Sequence, residues 1–113
     1  MNKNFKKRIL IDLDGVLNKY TKYEENIIPD IKEGAKEFLE QLSKDAQLYL
    51  FTTRNLLESS KWLIKNEIDK YFEDVTNIKI PCHLFIDDRT VCFKGSYAKT
   101  LDEIKEFKVY WKI

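Results

Sequence analysis

Arg8-Ile9-Leu10-Ile11-Asp12-Leu13-Asp14-Gly15-Val16-Leu17 decides how the rest of this chain reads. Ile9, Leu10, Ile11 and Leu13 are bulky and apolar, and two of them are β-branched. That suits a strand buried on both faces, as in a parallel sheet. Asp12 and Asp14 stand where the apolar run ends, and Gly15 follows at once. A carboxylate at the end of a buried strand is costly unless something pairs it. Residues two apart on a strand point to the same side. An extended form persisting through Asp14 would therefore aim both carboxylates into one crevice, at the carboxyl edge where open α/β sheets bind ligands. Gly15 lets the chain leave the strand sharply. The same Asp-Leu-Asp-Gly also suits a plain turn closing a strand, so the choice between turn and metal site falls to the rest of the chain.

Outward from this stretch, Asn18 to Ile28 is polar and rich in Tyr, Lys and Glu, with Tyr20, Tyr23 and Glu24-Glu25. It reads as a loop or short hairpin over the crevice. Pro29-Asp30 opens a helix in which Ile31, Ala35, Phe38, Leu39 and Leu42 recur at helical spacing. Gly34 is a mild cost inside it. Gln47-Leu48-Tyr49-Leu50-Phe51 is a second buried strand ending in Thr52-Thr53-Arg54-Asn55. A second helix runs from about Leu56 to Glu67, with Leu57, Trp62, Leu63 and Ile64 as core contacts. A short third strand falls within 71–76. His83-Leu84-Phe85-Ile86 is the next strand, ending in Asp87-Asp88-Arg89. Val91-Cys92-Phe93 reads as a short extra strand. Tyr97 to Phe107 reads as a last helix around Leu101, Ile104 and Phe107, with Tyr110-Trp111 pinning the C-terminal segment. Strand and helix alternate, which argues an α/β fold with a mostly parallel sheet and helices on both faces.

Three apolar strands thus finish in different polar sets: Asp12 and Asp14, then Thr52, then Asp87 and Asp88. Parallel strands present their carboxyl ends at one edge, so these groups converge there, joined by Lys79 from the polar link before Pro81. Oxygen ligands without His or Cys favour Mg²⁺, which binds through one or two carboxylates and keeps several waters. Without a cation the carboxylates would raise one another's pKa values. The hydroxyl and the ammonium are good donors to phosphate oxygens. The set reads as metal plus phosphate.

Composition narrows the field further. At 113 residues the chain fits one domain, 1–113. It is 43% hydrophobic and 35% charged, enough to bury a core and remain soluble. Its 20 Lys and Arg against 19 Asp and Glu leave a formal charge of +1 and no overall field for nucleic acid or an anionic membrane. Lys3, Lys6, Lys7 and Arg8 read as a solvated lead-in to the first strand. No stretch approaches the length of a membrane span, and no export signal opens the sequence; the expectation is a cytoplasmic protein. Cys82 and Cys92 make neither a disulfide framework nor a metal quartet and read as buried free thiols.

Asp12-Leu13-Asp14-Gly15-Val16, Thr52 after an apolar strand, Lys79, and Ile86-Asp87-Asp88 resemble, in order, the four motifs of the haloacid dehalogenase-like (HAD) phosphohydrolase superfamily. The resemblance covers nearly the whole chain, and the Ile-Asp-Asp-Arg form of the last motif looks like that of small deoxyribonucleotidase-type members. It implies a three-layer Rossmann-like core and a phosphoaspartyl mechanism. By position, Asp12 would be the nucleophile and a metal ligand. Asp14 would be the general acid/base, offering its backbone carbonyl to Mg²⁺. Thr52 would hold phosphoryl oxygens, and Lys79 would neutralise Asp12 and the phosphate. Asp88 would ligate the metal directly, with Asp87 in support. The family usually carries a cap domain, but the stretches from Asp14 to Thr52 and from Thr52 to Asp87 are each taken up by about one helix and its connections. The expectation is a capless, open site under the Asn18–Ile28 flap alone, acting on a phosphorylated small molecule or macromolecule.

Thr53 and Arg54 are further candidates for phosphate binding. Arg89 is better placed to hold Asp87 or a loop, Tyr20 and Tyr23 to pack the flap, and His83 to serve structure at the far end of its strand. Two other functions fit parts of the pattern: a HAD-like module that binds phosphate without turnover, and a signalling receiver domain. The receiver wants its acid pair after the first strand and a lone Asp later, the reverse of the order here.

Overall fold

The computed structural model describes residues 6–112. Strand β1 is Lys7–Asp12, helix α1 Ala35–Leu42, β2 Ala46–Phe51, α2 Leu56–Lys65, β3 Phe72–Thr76, β4 Leu84–Ile86 and α3 Tyr97–Glu106, with a 3₁₀ turn at Asp69–Tyr71. The strands form one all-parallel sheet in the order β3-β2-β1-β4. Helices flank it, as in a Rossmann-like α/β core, and no cap domain is present among the described residues. No helix among the described residues is long and apolar enough to cross a membrane.

Register positions the site. β1 lies at the centre, with Asp12 opposite Phe51 on β2 and Ile11 opposite Ile86 on β4. Thr52 and Asp87 are the next residues along those neighbours, so each leaves the sheet beside Asp12. The Thr52 amide then donates to Thr76 O at 3.0 Å, carrying the alignment across to β3.

Beneath this edge lies the core. Ile9, Ile11, Leu48 and Leu50 pack with Ala35 and Leu39 of α1 and with Trp62 and Leu63 of α2. The connections β1→α1→β2 and β2→α2→β3 step the same way across the sheet. With right-handed crossovers both helices therefore fall on one face. Each fully buried Leu or Ile contributes about 1.5–3 kcal/mol by leaving water, so β1 and β2 are the fixed frame of the site. Asn55 caps α2, its Oδ1 accepting from Glu58 N at 2.9 Å.

Several local expectations need correction. The first helix starts at Ala35, not Pro29: Gly34 sits in the left-handed region (φ 86°) and turns the chain into the helix. Ile31 instead forms an antiparallel bridge with Asn18. That bridge ties together the ends of the flap, with Lys19 N donating to Asp30 O at 2.8 Å. Leu57 and Ile64 are 63% and 60% exposed, and α2 buries Ser59 beside Trp62 and Leu63. Val91-Cys92-Phe93 forms no strand, and Cys92 is exposed while Cys82 is half-buried. Leu101, Ile104 and Phe107 are exposed and α3 buries no residue, although Ser96 caps it by accepting from Lys99 N. Helical periodicity shows that a face is apolar; it does not supply the surface that would cover it. Lys6, Lys7 and Arg8 are exposed, as a solvated lead-in should be, and Lys3 lies outside the described residues.

Candidate active site

β1 ends at Asp12. Leu13 to Leu17 curl into a turn, with Leu17 N donating to Leu13 O at 3.0 Å. The extended form does not persist through Asp14, and the two leading carboxylates part company. Asp12 goes to the acids that follow β4: one carboxylate oxygen from each of Asp12, Asp87 and Asp88 lies within 4.8 Å of the others. Asp14 goes to Arg54, whose Nε donates to its two oxygens at 3.1 and 2.8 Å.

Electrostatics distinguish Asp12 and Asp87 from ordinary surface acids. Asp12 is pushed up from its ordinary 3.8 to about 8, first by burial and then by the charges of Asp87, Asp88 and Asp14. Asp87 is also raised, chiefly by burial. Such a cluster calls for positive charge. The three carboxylates could hold a metal ion, and an all-oxygen donor set is the kind that hard cations take.

Around Asp14 the packing is tight. The Asp14 and Arg54 side chains are 22% and 6% exposed. Arg54 Nη1 reaches Glu24 O at 3.4 Å, and the Tyr23 ring lies 5.1 Å from the guanidinium carbon. Arg54 Nη2 is buried with no acceptor among the described residues. Asn18, fully buried, donates to Asp14 Oδ1 at 2.9 Å and accepts from Gly15 N at 3.1 Å. Its role escaped the sequence reading, which placed it in the flap. The available signal was an Asn four residues after Asp14, in reach once the strand curls into a turn.

Thr52 is 2% exposed, and its Oγ1 accepts from Arg54 N at 3.1 Å. The hydroxyl thus shapes the turn that brings the arginine in. Thr53 is exposed and, with Arg54, Tyr23, Asn26 and Asn55, lines a cavity of about 260 Å³ that Asp14 does not line. Lys79 is exposed in the β3–β4 link, and no hydrogen bond or ion pair among the described residues joins it to Asp12. Arg89 holds Asp87 through its main chain, its amide donating to Asp87 Oδ1 at 2.9 Å. His83 stands just before β4 at the opposite edge, and its amide donates to Arg8 O at 2.8 Å.

The crevice is less open than the missing cap suggested. Besides the flap, the C-terminal segment folds over it. Trp111 Nε1 donates to Asp88 Oδ2, and Tyr110 OH donates to Gly15 O. Gly15 has φ 83°, and a Cβ there would run into Asp88 Oδ2 and stand 3.0 Å from Trp111 Nε1. The glycine is needed for its conformation and for the close approach of three segments.

No family model matches the chain, and no curated protein matches it. A solved structure does: a conserved protein from Bacteroides thetaiotaomicron, 23% identical, with a TM-score of 0.61 over 94% of this chain and 95% of that one. The likeness extends to the fold.

Proposed function

We propose that this chain is a Mg²⁺-dependent phosphatase of the HAD-like type, without a cap domain, working through an aspartyl-phosphate. The observation that carries the reading is the division of labour among four acids. Asp12, Asp87 and Asp88 bring one oxygen each within 4.8 Å of the others, while Asp14, whose charge still reaches Asp12, is held out of that cluster by Arg54 and Asn18.

The chemistry follows from the positions. Asp12, at the end of a rigid central strand, would attack phosphorus with a carboxylate oxygen and release the alcohol. Asp14 would give that alcohol its proton, then take one from the water that hydrolyses the phosphoaspartate. Asp12, Asp87 and Asp88 would hold Mg²⁺, which supplies the positive charge that lets an anionic nucleophile meet an anionic phosphate. Arg54 keeps Asp14 oriented, and its side chain also lines the cavity where a substrate would lie. Thr52 and Thr53 would border the phosphate, and the cavity lined by Thr53 and Arg54 would take the leaving group. Lys79 would approach the phosphate from the β3–β4 link. Among the described residues nothing bonds it to Asp12, which favours the alternative, a phosphate-binding module without turnover.

Hydrolysis of p-nitrophenyl phosphate with and without Mg²⁺ tests the proposal. Turnover should require the metal and vanish in Asp12→Asn. Full activity in chelator with metal content checked, or undiminished turnover by Asp12→Asn, would overturn it. Saturable phosphate binding with no hydrolysis of any phosphomonoester in a broad panel would favour the module.

A further inference from the structure

The acid cluster has a neighbour that the proposed chemistry does not use. Trp111 donates its indole N–H to Asp88 Oδ2. The ring is braced by the Arg89 guanidinium carbon 5.1 Å from it, and by Tyr20 at 5.1 Å between centroids with the planes at 82°. The next residue back, Tyr110, ties the same segment to Gly15 O, in the turn that follows Asp12. Flap, β4 loop and C-terminal segment therefore meet on one indole.

We propose that Trp111 is a positioning residue that sets the Asp88 carboxylate for the divalent cation; this rests on the metal reading above. A carboxylate just beyond a strand end can rotate, and a cation needs its oxygen held. Carboxylates that ligate metals are themselves fixed by hydrogen bonds from outside the ligand set, and losing such a partner lowers metal affinity. The indole suits the task for a further reason: it donates, never accepts, and carries no charge. A lysine or arginine there would neutralise Asp88 and compete with the cation. Trp111 takes one lone pair of Asp88 Oδ2, and the carboxylate keeps others with which to ligate a metal. Its bracing by Tyr20 and Arg89 holds the donor in place whether or not the metal is bound.

The chain has two tryptophans, so its ¹H–¹⁵N spectrum shows two indole N–H signals. Trp62 donates to Pro29 O at 3.1 Å and serves as the internal control. Adding Mg²⁺ to the labelled chain should move the Trp111 signal along the saturation curve measured by calorimetry and leave that of Trp62 in place. Trp111→Phe, which keeps the stacking ring and loses the donor, should raise the Mg²⁺ dissociation constant about 10-fold. An unmoved Trp111 signal while calorimetry records bound Mg²⁺ would overturn the positioning role alone. So would a Trp111→Phe constant within about twofold of the parent's, against the loss expected for such a partner. No Mg²⁺ binding by the parent chain would reject the metal reading, and the inference with it. Should Trp111→Phe not fold, the shift on the parent decides, with the signals assigned through Trp62→Phe.

Discussion

Asp12→Asn should make the metal-free protein more stable at neutral and alkaline pH. Asp12 in the folded chain holds its proton up to about pH 8, against an ordinary 3.8, because burial and the charges of Asp87, Asp88 and Asp14 oppose ionisation. A group whose pKa is raised on folding contributes stability that is whole below its unfolded value and is lost as pH rises through its folded value. The metal-free parent should therefore lose stability from about pH 4 to pH 8, while Asp12→Asn lacks this titration. At about 1.4 kcal/mol per tenfold in proton affinity, the separation bounds the loss at about 6 kcal/mol. Asp12 is only half-buried, and screening by water reduces this to about 2 kcal/mol. That is about 1 M in the urea midpoint of a small domain. Urea unfolding in chelator at pH 4 and pH 8 should show a gap between variant and parent that opens with pH. Saturating Mg²⁺ at pH 8 should close it by stabilising the parent. An equal gap at both pH values, or a variant less stable than the parent at pH 8, would refute the reasoning: Asp12 would then be a structural carboxylate already paired.

Gly15→Ala should cost at least about 1–2 kcal/mol from the left-handed backbone alone, with more from the collision with Asp88, and should weaken Mg²⁺ binding; parent-like urea midpoint and calorimetry would contradict this. Ca²⁺ should bind yet inhibit, because it takes more ligands and bidentate carboxylates and so ties up the Asp12 oxygen that attacks; steady turnover with Ca²⁺ alone would count against the mechanism. Asp14→Asn should give a burst of p-nitrophenolate close to the enzyme concentration and then slow turnover, since this leaving group needs no proton but the later water still needs a base. Rapid quench and mass spectrometry should place one phosphoryl group on the peptide holding Asp12, and its appearance elsewhere would displace Asp12 as nucleophile. Lys79→Ala should keep its fold and lose most turnover, because an anionic nucleophile would face an anionic phosphate less shielded; parent-like activity would show that Lys79 is not the third-motif lysine.

The architecture was legible in the sequence because it rests on local patterns. Runs such as Ile9-Leu10-Ile11 and Leu48-Tyr49-Leu50 have the composition of doubly covered strands, and strands joined through helices can hardly avoid a parallel sheet. A parallel sheet in turn places Asp12, Thr52 and Asp87 at one edge, whatever the details. Core partners were less legible. Leu101 and Leu57 lie on apolar faces as clear as those of Leu39 and Leu63, and only the three-dimensional path of the chain decides which faces meet a partner. The interior of the site was likewise settled by tertiary structure. Asp-Leu-Asp allows either an alternating strand or a turn, and the turn at Leu13 sends Asp14 to Arg54 and Asn18 instead of leaving it beside Asp12. Trp111 stands far from Asp88 in sequence, and no spacing rule links them; their hydrogen bond exists because the C-terminal segment returns across the crevice. Local sequence determined which residues end the strands, since strand composition and period are set by near neighbours. Which donor each carboxylate meets was decided by contacts between segments distant along the chain, and those form only when the whole chain packs.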